Sequence, residues 1–286
     1  MKKAALFITV FAALIGTSSV SFGDTKCNKG LTVRDGFATL FPLKTSLAVD
    51  TQNGAGDSLK NDPRKELDRK ANPEYNPIGT VKTSLGRGSA WLAHECLVVT
   101  AKHNIGSDEN IIGKKVTFSV GQTSNRTKDF EDSVEGEVVA SGNPDAKDPD
   151  AGAQDWAIVR IKKNLGKKYG YIEPAKASLS DVKACKSLDV PGFPGEKDVK
   201  KLWAQRGCGL YEQYYDQTAF HVNCPITKGN SGGPLVCRLA DNSLVAVGLM
   251  NQKVSTAKMG IAVNFDKDWS NFDAAYSKYL GTCGQD

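Results

Sequence analysis

The stretch Lys228-Gly229-Asn230-Ser231-Gly232-Gly233-Pro234-Leu235 places one serine among three glycines and closes with a proline. Glycine reaches backbone conformations that other residues avoid, so this run can turn its N–H groups toward a point beside the serine hydroxyl. Acyl transfer requires that arrangement, because the attacking oxygen needs nearby donors that stabilise the oxyanion. The candidate donors are the N–H groups of Gly229 and Ser231. The alternative is a glycine-rich turn between two strands that holds a serine by coincidence.

A serine hydroxyl is a weak nucleophile until a base removes its proton. The chain has three histidines that could do so. His103 follows the apolar run Val98-Val99-Thr100-Ala101, which predicts a strand ending in a turn that presents the imidazole. His94 and His221 lack that setting, and we interpret His221, which falls within a predicted strand, as a structural or surface residue.

A carboxylate stands at the start of another apolar run. Asp155 leads directly into Trp156-Ala157-Ile158-Val159. Burying a carboxylate is costly unless it has a partner. We therefore predict that Asp155 accepts a hydrogen bond from the His103 imidazole and fixes its tautomer.

These three blocks, in the order His, Asp, Ser, resemble the signature blocks of the chymotrypsin-like (trypsin-fold) serine proteases. The resemblance covers roughly residues 76 to 280, and bacterial V8 and glutamyl endopeptidases are the members most similar in character. It implies a catalytic triad of His103, Asp155 and Ser231 with an oxyanion hole at Gly229 and Ser231. It also implies an all-β fold of two six-stranded antiparallel Greek-key barrels with the site in the cleft between them, and no metal or organic cofactor.

The strand pattern agrees with that expectation. Short strands separated by turn residues begin beyond Pro77. A first set is predicted at 78–83, 89–93, 96–100, 115–120, 135–141 and 156–161, and a second at 186–190, 200–209, 218–223, 234–238, 244–251 and 260–264. The two sets predict an N-terminal barrel over 76–165 and a C-terminal barrel over 166–265.

In the last part of the chain, 266–286, the spacing of the apolar residues changes from that of a strand to that of a helix. Trp269, Phe272, Tyr276 and Tyr279 recur at helical spacing, and Gly281 stands just past the last of them. This predicts a C-terminal helix whose aromatic stripe packs against the core.

The N-terminus reads as a secretory signal over residues 1–23. Lys2 and Lys3 precede an apolar run, and Ser21 and Gly23 occupy the −3 and −1 positions of a cleavage site. The apolar run is too short to span a bilayer. We therefore expect a bacterial protein secreted to the periplasm or the medium, with no membrane anchor after signal removal.

Residues 24–75 form a polar extension without strand periodicity. In the V8-like relatives such a segment is often a propeptide that is cut before a short polar stretch such as 59–64. The alternative is an extended arm that stays attached, and the sequence leaves both open.

The charge and composition of the chain limit the classes of molecule that it is expected to bind. The formal net charge is +5, and two of these charges belong to the signal lysines. The lysine pairs lack the interleaved aromatics and arginine clusters of a nucleic-acid footprint. The expected partner is a protein or peptide substrate, and the expected state is a monomer that does not bind nucleic acid.

All seven cysteines lie beyond the signal, and export favours disulfides. The family resemblance implies the pair Cys185–Cys237, and Cys208 and Cys224 flank a predicted hairpin that they could staple. The pairing of the remaining cysteines, Cys27, Cys96 and Cys283, stays open. The cysteine that the family often has beside the catalytic histidine is replaced by Asn104.

The residues of the candidate substrate pocket differ from those of the related proteases. The trypsin-like pocket aspartate is replaced by Pro225, and the histidine that glutamyl endopeptidases usually place in the pocket strand is replaced by Met250. Asn230 is neutral, so it cannot form the ion pair with a new N-terminus that activates the pancreatic-type enzymes. The remaining candidate pocket residues are Thr227, Lys228 and Asn251, and the P1 preference is left open.

Two other functions remain open at this stage. One is a catalytically silent relative that binds instead of cutting, although no triad member is missing. The other is a protease restricted to processing one partner or its own precursor.

Overall fold

A computed structural model describes residues 62–106, 110–121, 129–142, 151–212, 215, 218–254 and 259–283. The predicted signal, most of the predicted extension and Cys27 lie outside these ranges. The strands are β1 Lys65–Glu66, β2 Ile78–Thr83, β3 Gly86–Leu92, β4 Leu97–Thr100, β5 Lys115–Val120, β6 Asp132–Ser141, β7 Ala157–Ile161, β8 Ser187–Gly192, β9 Trp203–Arg206, β10 Ala219–Val222, β11 Pro234–Arg238, β12 Leu244–Val254 and β13 Met259–Asn264. The helices are α1 Gly166–Tyr169, α2 Leu179–Lys183 and α3 Trp269–Tyr279, with 3-10 turns at Pro73–Tyr75, Lys102–Asn104 and Ala151–Gln154.

The first sheet is a closed antiparallel barrel with the strand order β2-β3-β4-β7-β6-β5. Its interior is filled by apolar side chains that include Leu92, Val98, Phe118 and Val159, all fully buried. Closure leaves no free strand edge. All six strands predicted for this barrel are present, with ends that differ from the predicted ones by at most three residues.

The second sheet is also antiparallel and has seven strands in the order β1-β9-β8-β11-β12-β13-β10. Six of them are the predicted strands. The seventh, β1, comes from the segment predicted to be a polar extension, where two residues are too few to show an alternating pattern. It pairs with β9 in the register Lys65↔Ala204 and Glu66↔Trp203. The fold class is therefore confirmed as all-β with two antiparallel sheets, and the second sheet gains an added edge strand.

The C-terminal helix α3 closes the space between the sheets. Phe272 and Tyr276 are buried in a core that also contains Trp91 of the first sheet and Leu249 of the second. The Tyr276 hydroxyl donates a 2.6 Å hydrogen bond to the carbonyl of Ala93. The predicted helix and the packing role of its aromatic stripe are thus confirmed.

Three disulfides join the described cysteines. Two are the expected pairs, Cys185–Cys237 and Cys208–Cys224. The third pairs Cys96 with Cys283, which the sequence left open, and ties the tail after α3 to the start of β4. Disulfides of this number are typical of exported proteins.

Of the helices in the described ranges, α3 is the longest with 11 residues, and none combines the length and apolar character that a bilayer crossing requires.

Candidate active site

His103 and Asp155 come together because their strands are neighbours. β4 and β7 pair antiparallel with Thr100 opposite Ala157, so the turn after β4 lies beside Asp155, two residues before β7. The His103 ring nitrogen Nδ1 lies 2.6 Å from Asp155 Oδ2, and the His103 backbone N–H donates to Asp155 Oδ1 at 3.0 Å. Asp155 is buried, whereas 44% of the His103 side chain is exposed. A shielded carboxylate thus holds an imidazole that faces solvent.

The environment shifts the titration of His103. Burial lowers its pKa, but the hydrogen bond and charge of Asp155 outweigh burial and raise the pKa above the ordinary value of 6.5. Because Nδ1 is engaged by Asp155, Nε2 is the nitrogen available to take a proton from a nucleophile.

Two glycines with positive φ bracket the candidate nucleophile. Gly229 has φ +99° and Gly232 has φ +84°. A Cβ at position 229 would lie 2.5 Å from the Phe193 carbonyl oxygen, and a Cβ at position 232 would lie 2.3 Å from Thr100 Oγ1. Both positions therefore need glycine for conformation and for space.

Three of the backbone N–H groups around Ser231 donate to carbonyls of the chain, and two have no acceptor among the described residues. The N–H groups of Asn230, Gly232 and Gly233 donate to the carbonyls of Thr227, Met250 and Asn230 at 3.0, 2.7 and 3.0 Å. Within the described part of the chain, the N–H groups of Gly229 and Ser231 have no acceptor. These are the two donors that the sequence predicts for an oxyanion hole.

The Ser231 hydroxyl donates to the Asn251 carbonyl at 3.1 Å. Among the described residues it makes no hydrogen bond to His103, so a proton transfer from Ser231 to His103 would require the hydroxyl to leave the Asn251 carbonyl. Catalytic hydrogen bonds of substrate-free enzymes are often incomplete in this way.

Two residues that sequence reasoning did not assign to the site attach the loop of residues 227–233 to the first barrel. We call it the nucleophile loop because it carries the candidate nucleophile Ser231. The Asn104 amide donates to the Ser231 carbonyl at 2.8 Å and to Thr100 Oγ1 at 3.1 Å. The Ser89 hydroxyl donates to the Gly229 carbonyl at 2.6 Å, and the Ser89 N–H lies 2.9 Å from the carbonyls of Gly229 and Ser231. The only signal for Asn104 was its place directly after His103, and Ser89 gave none.

The candidate pocket residues have different environments. Pro225 is buried, Met250 is fully buried and Lys228 is exposed. A Cβ on Gly260 would lie 2.8 Å from the Met250 methyl, so Met250 fills the space beside β13. Thr227 does not offer a free hydroxyl, because it donates to Glu196 at 2.6 Å and accepts from Arg64 at 2.9 Å.

The other histidines lie elsewhere. The His94 ring packs against Tyr171 at 5.1 Å between centroids, and burial lowers its pKa. His221 Nδ1 lies 3.4 Å from Met259 Sδ.

A fold of two sheets with a His–Asp pair and a glycine-flanked serine between them is the arrangement expected for a trypsin-like peptidase. The comparison with known families gives the same class of protein. The trypsin-like peptidase domain family matches residues 86–247, more than half of the 286 residues. The chain belongs to this family.

Individual relatives are distant. A glutamyl endopeptidase of Staphylococcus aureus (strain MW2) is 22% identical over 182 residues, which cover 62% of this chain and 52% of the relative. The chain thus spans about half the length of the curated relatives it matches. The crystal structure of the protease Anisep from Arthrobacter nicotinovorans is 15% identical with a TM-score of 0.53, covering 71% of this chain and 96% of that one. A Glu endopeptidase in complex with MPD is 16% identical with a TM-score of 0.54 and covers 76% and 98%.

Proposed function

We propose that this chain is a secreted serine endopeptidase that hydrolyses peptide bonds through Ser231, His103 and Asp155. One observation carries the proposal: the His103–Asp155 pair and the two unengaged N–H groups of Gly229 and Ser231 occur in one site with the glycine-flanked serine. Each part has a distinct task in acyl transfer, as base, orienting carboxylate, oxyanion donors and nucleophile.

The chemistry follows from these parts. Ser231 Oγ attacks the scissile carbonyl carbon while His103 Nε2 takes the hydroxyl proton, and the carbonyl oxygen becomes an oxyanion held by the N–H groups of Gly229 and Ser231. The C–N bond breaks as His103 returns the proton to the leaving amine, which leaves an acyl ester on Ser231. Water then attacks the ester with His103 again as base and restores the serine. Asp155 stays ionised and holds the imidazole.

The substrate preference of the relatives does not transfer directly. The name of the Staphylococcus aureus relative refers to glutamyl bonds. Pro225 and Met250, at two positions where relatives use ionisable pocket residues, carry no charge, and Lys228 is exposed. We therefore propose a preference for uncharged P1 side chains, which a peptide library with all P1 residues would measure directly.

Active-site labelling tests the proposal. A fluorophosphonate probe reports an activated serine, because Oγ displaces fluoride from phosphorus. We expect label on the peptide that contains Ser231, located by mass spectrometry, and none in Ser231→Ala. Ser243→Ala is the matched control, because Ser243 is exposed and its hydroxyl donates to Asp241 in the same turn at 2.6 Å. A folded, processed protein that takes no label would contradict the enzyme function and favour a binding protein.

A further inference from the structure

A buried arginine lies beside the nucleophile loop, in a part of the chain that precedes the family match. The side chain of Arg64 is 1% exposed, and the match begins at residue 86. A buried guanidinium needs partners for its donors, since an uncompensated buried charge is strongly destabilising. The partners of Arg64 divide into two groups.

The first group belongs to the nucleophile loop. Arg64 Nη1 donates to Thr227 Oγ1 at 2.9 Å and to Asn230 Oδ1 at 3.3 Å. Asn230 immediately precedes Ser231, is 1% exposed, and its Oδ1 also accepts from the Thr227 N–H at 3.2 Å. In the described part of the chain, its Nδ2 has no hydrogen-bond partner. The Asn230 amide is therefore held through its oxygen, and Arg64 is one of the groups that hold it.

The second group is a pair of carboxylates. Arg64 Nε and Nη2 donate to the two oxygens of Asp62 at 2.9 and 2.8 Å, and Nη2 also donates to Glu196. Lys197 Nζ lies 2.8 Å from Asp62 Oδ2. The cluster therefore balances two carboxylates with two cations.

Asp62, Glu196 and Arg64 stay ionised at neutral pH. Burial would raise the pKa of the Asp62 and Glu196 carboxyls, but hydrogen bonds from Arg64 and its neighbours hold both below their ordinary values. Burial lowers the pKa of Arg64, and its two carboxylate partners more than reverse that shift.

Backbone pairing fixes the segment that carries Arg64. Strand β1 follows directly and pairs with β9, and the Leu67 N–H donates to the Leu202 carbonyl at 2.8 Å. The Gly195 N–H donates to the Lys228 carbonyl at 2.6 Å, which joins the loop carrying Glu196 to the nucleophile loop. Arg64 thus connects three segments that are distant in sequence.

We propose that Arg64 is a positioning residue that, through Asn230 and Thr227, fixes the backbone on which the Gly229 and Ser231 N–H groups stand. The inference rests on the function proposed above for that loop. The proposed role of Arg64 also limits where a proteolytic cut in the N-terminal segment can fall. A cut before Asp62 leaves the cluster whole, whereas a cut after Arg64 separates the guanidinium from the strand that places it.

The test compares Arg64→Gln and Arg64→Lys with Arg69→Gln. Arg69 is a matched control because it is also buried in the N-terminal segment. Its hydrogen bonds within the described ranges go to the carbonyls of Asn76 and Ile78 at 3.0 and 2.6 Å, and its guanidinium lies over the Phe193 ring. The readouts are kinact and KI for the fluorophosphonate, with thermal unfolding of each variant. We expect Arg64→Gln to lower kinact on the order of 10²-fold with KI nearly unchanged, because small displacements of a catalytic group have effects of that size. Arg64→Lys should recover part of the loss, and Arg69→Gln should lower the melting temperature but leave kinact near wild type.

The outcomes separate this inference from the proposed function. Wild-type protein that takes no label at Ser231 contradicts both. If wild type is labelled and a folded Arg64→Gln variant has an unchanged kinact, the inference alone is overturned. It is also overturned if the Arg64 and Arg69 variants lose kinact in proportion to their loss of melting temperature. If Arg64→Gln does not fold, Arg64→Lys decides, since a folded lysine variant with wild-type kinact overturns the inference.

The processed protein gives a second readout. N-terminal sequencing of the fluorophosphonate-labelled protein should find its first residue at or before Asp62. Labelled protein that begins after Arg64 would overturn the inference.

Discussion

The side-chain amide of Asn104 donates a 2.8 Å hydrogen bond to the backbone carbonyl of Ser231. Asn104 directly follows His103, so one side chain links the turn that carries the proposed base to the loop that carries the proposed nucleophile. The amide occupies a tight space, because a Cβ at Gly88 would lie 2.2 Å from its Nδ2 and a Cβ at Gly232 would lie 2.6 Å away. Both glycines leave room for this contact between the two sheets.

Asn104→Asp should weaken that link. The substitution keeps the shape but removes the donor and places a carboxylate beside the Ser231 carbonyl. We expect a loss of about 1–3 kcal/mol in the free energy of unfolding, with a slower fluorophosphonate reaction, measured by urea denaturation and labelling kinetics. The same change at Asn110 is the control, because that side chain is exposed and its oxygen accepts from the Ile112 N–H at 2.9 Å, a bond that an aspartate can keep. Equal effects at the two sites would contradict the assigned role of Asn104.

Gly232→Ala should be far more harmful than Gly207→Ala. Both glycines have positive φ, +84° and +73°, but a Cβ at Gly207 meets nothing within 4 Å whereas one at Gly232 collides with Thr100 and Ser89. Gly207→Ala therefore reports backbone strain alone, about 1–2 kcal/mol. Gly232→Ala adds the collision, and we expect labelling at Ser231 to be lost. The prediction fails if the two variants unfold and react alike.

The pH dependence of labelling should follow His103. The imidazole must be neutral to accept a proton, so kinact/KI should rise with pH through a midpoint above the ordinary 6.5. Asp155→Asn removes the group that raises the pKa and leaves burial, which lowers it. The residual rate of that variant should be about 10⁴-fold smaller, with its midpoint at lower pH. A midpoint that does not move would show that another group controls the profile.

The Asp62 carboxyl should contribute stability at neutral pH and lose that contribution in acid. Its folded pKa lies below the ordinary 3.8, so the contribution is present above 3.8 and declines as the pH falls toward the folded pKa. The difference in unfolding free energy between wild type and Asp62→Asn should therefore be largest at neutral pH and shrink below 3.8. Asp68→Asn is the control, since Asp68 is exposed and its carboxylate accepts from the Lys70 N–H of the same turn at 2.9 Å. A difference that is constant with pH would contradict the buried ion cluster.

The Cys96–Cys283 disulfide should stabilise the whole molecule. The double substitution to serine removes the link between β4 and the tail beyond α3, and we expect a loss of about 2–5 kcal/mol in unfolding free energy. Non-reducing peptide mapping of the wild-type protein checks the pairing itself. Recovery of Cys96 in a peptide joined to any other cysteine would disprove it.

The strands and the candidate site could be predicted from the sequence because their signals are local. Apolar runs between turn residues mark the strands, and His103, Asp155 and Ser231 each stand in a short distinctive block. The contacts of Arg64 could not be predicted in this way, since its partners Thr227 and Asn230 are 163 and 166 residues away. The same holds for Asn104, whose amide meets Ser231 only because the two sheets pack together. Strand β1 was missed because its two residues are placed by pairing with β9 and not by a pattern of their own.

The separation of 187 residues between Cys96 and Cys283 has a consequence for the order of oxidation. A chain made from its N-terminus presents Cys96 well before Cys283, and Cys185, Cys208, Cys224 and Cys237 all appear in between. Cys96 is 1% exposed, and it packs in the same apolar cluster as the barrel residues Leu92 and Val98. We expect the first barrel to fold early and to bury the Cys96 thiol. Burial would keep Cys96 from forming a disulfide with another cysteine until the C-terminus is made and the Cys96–Cys283 bond can form.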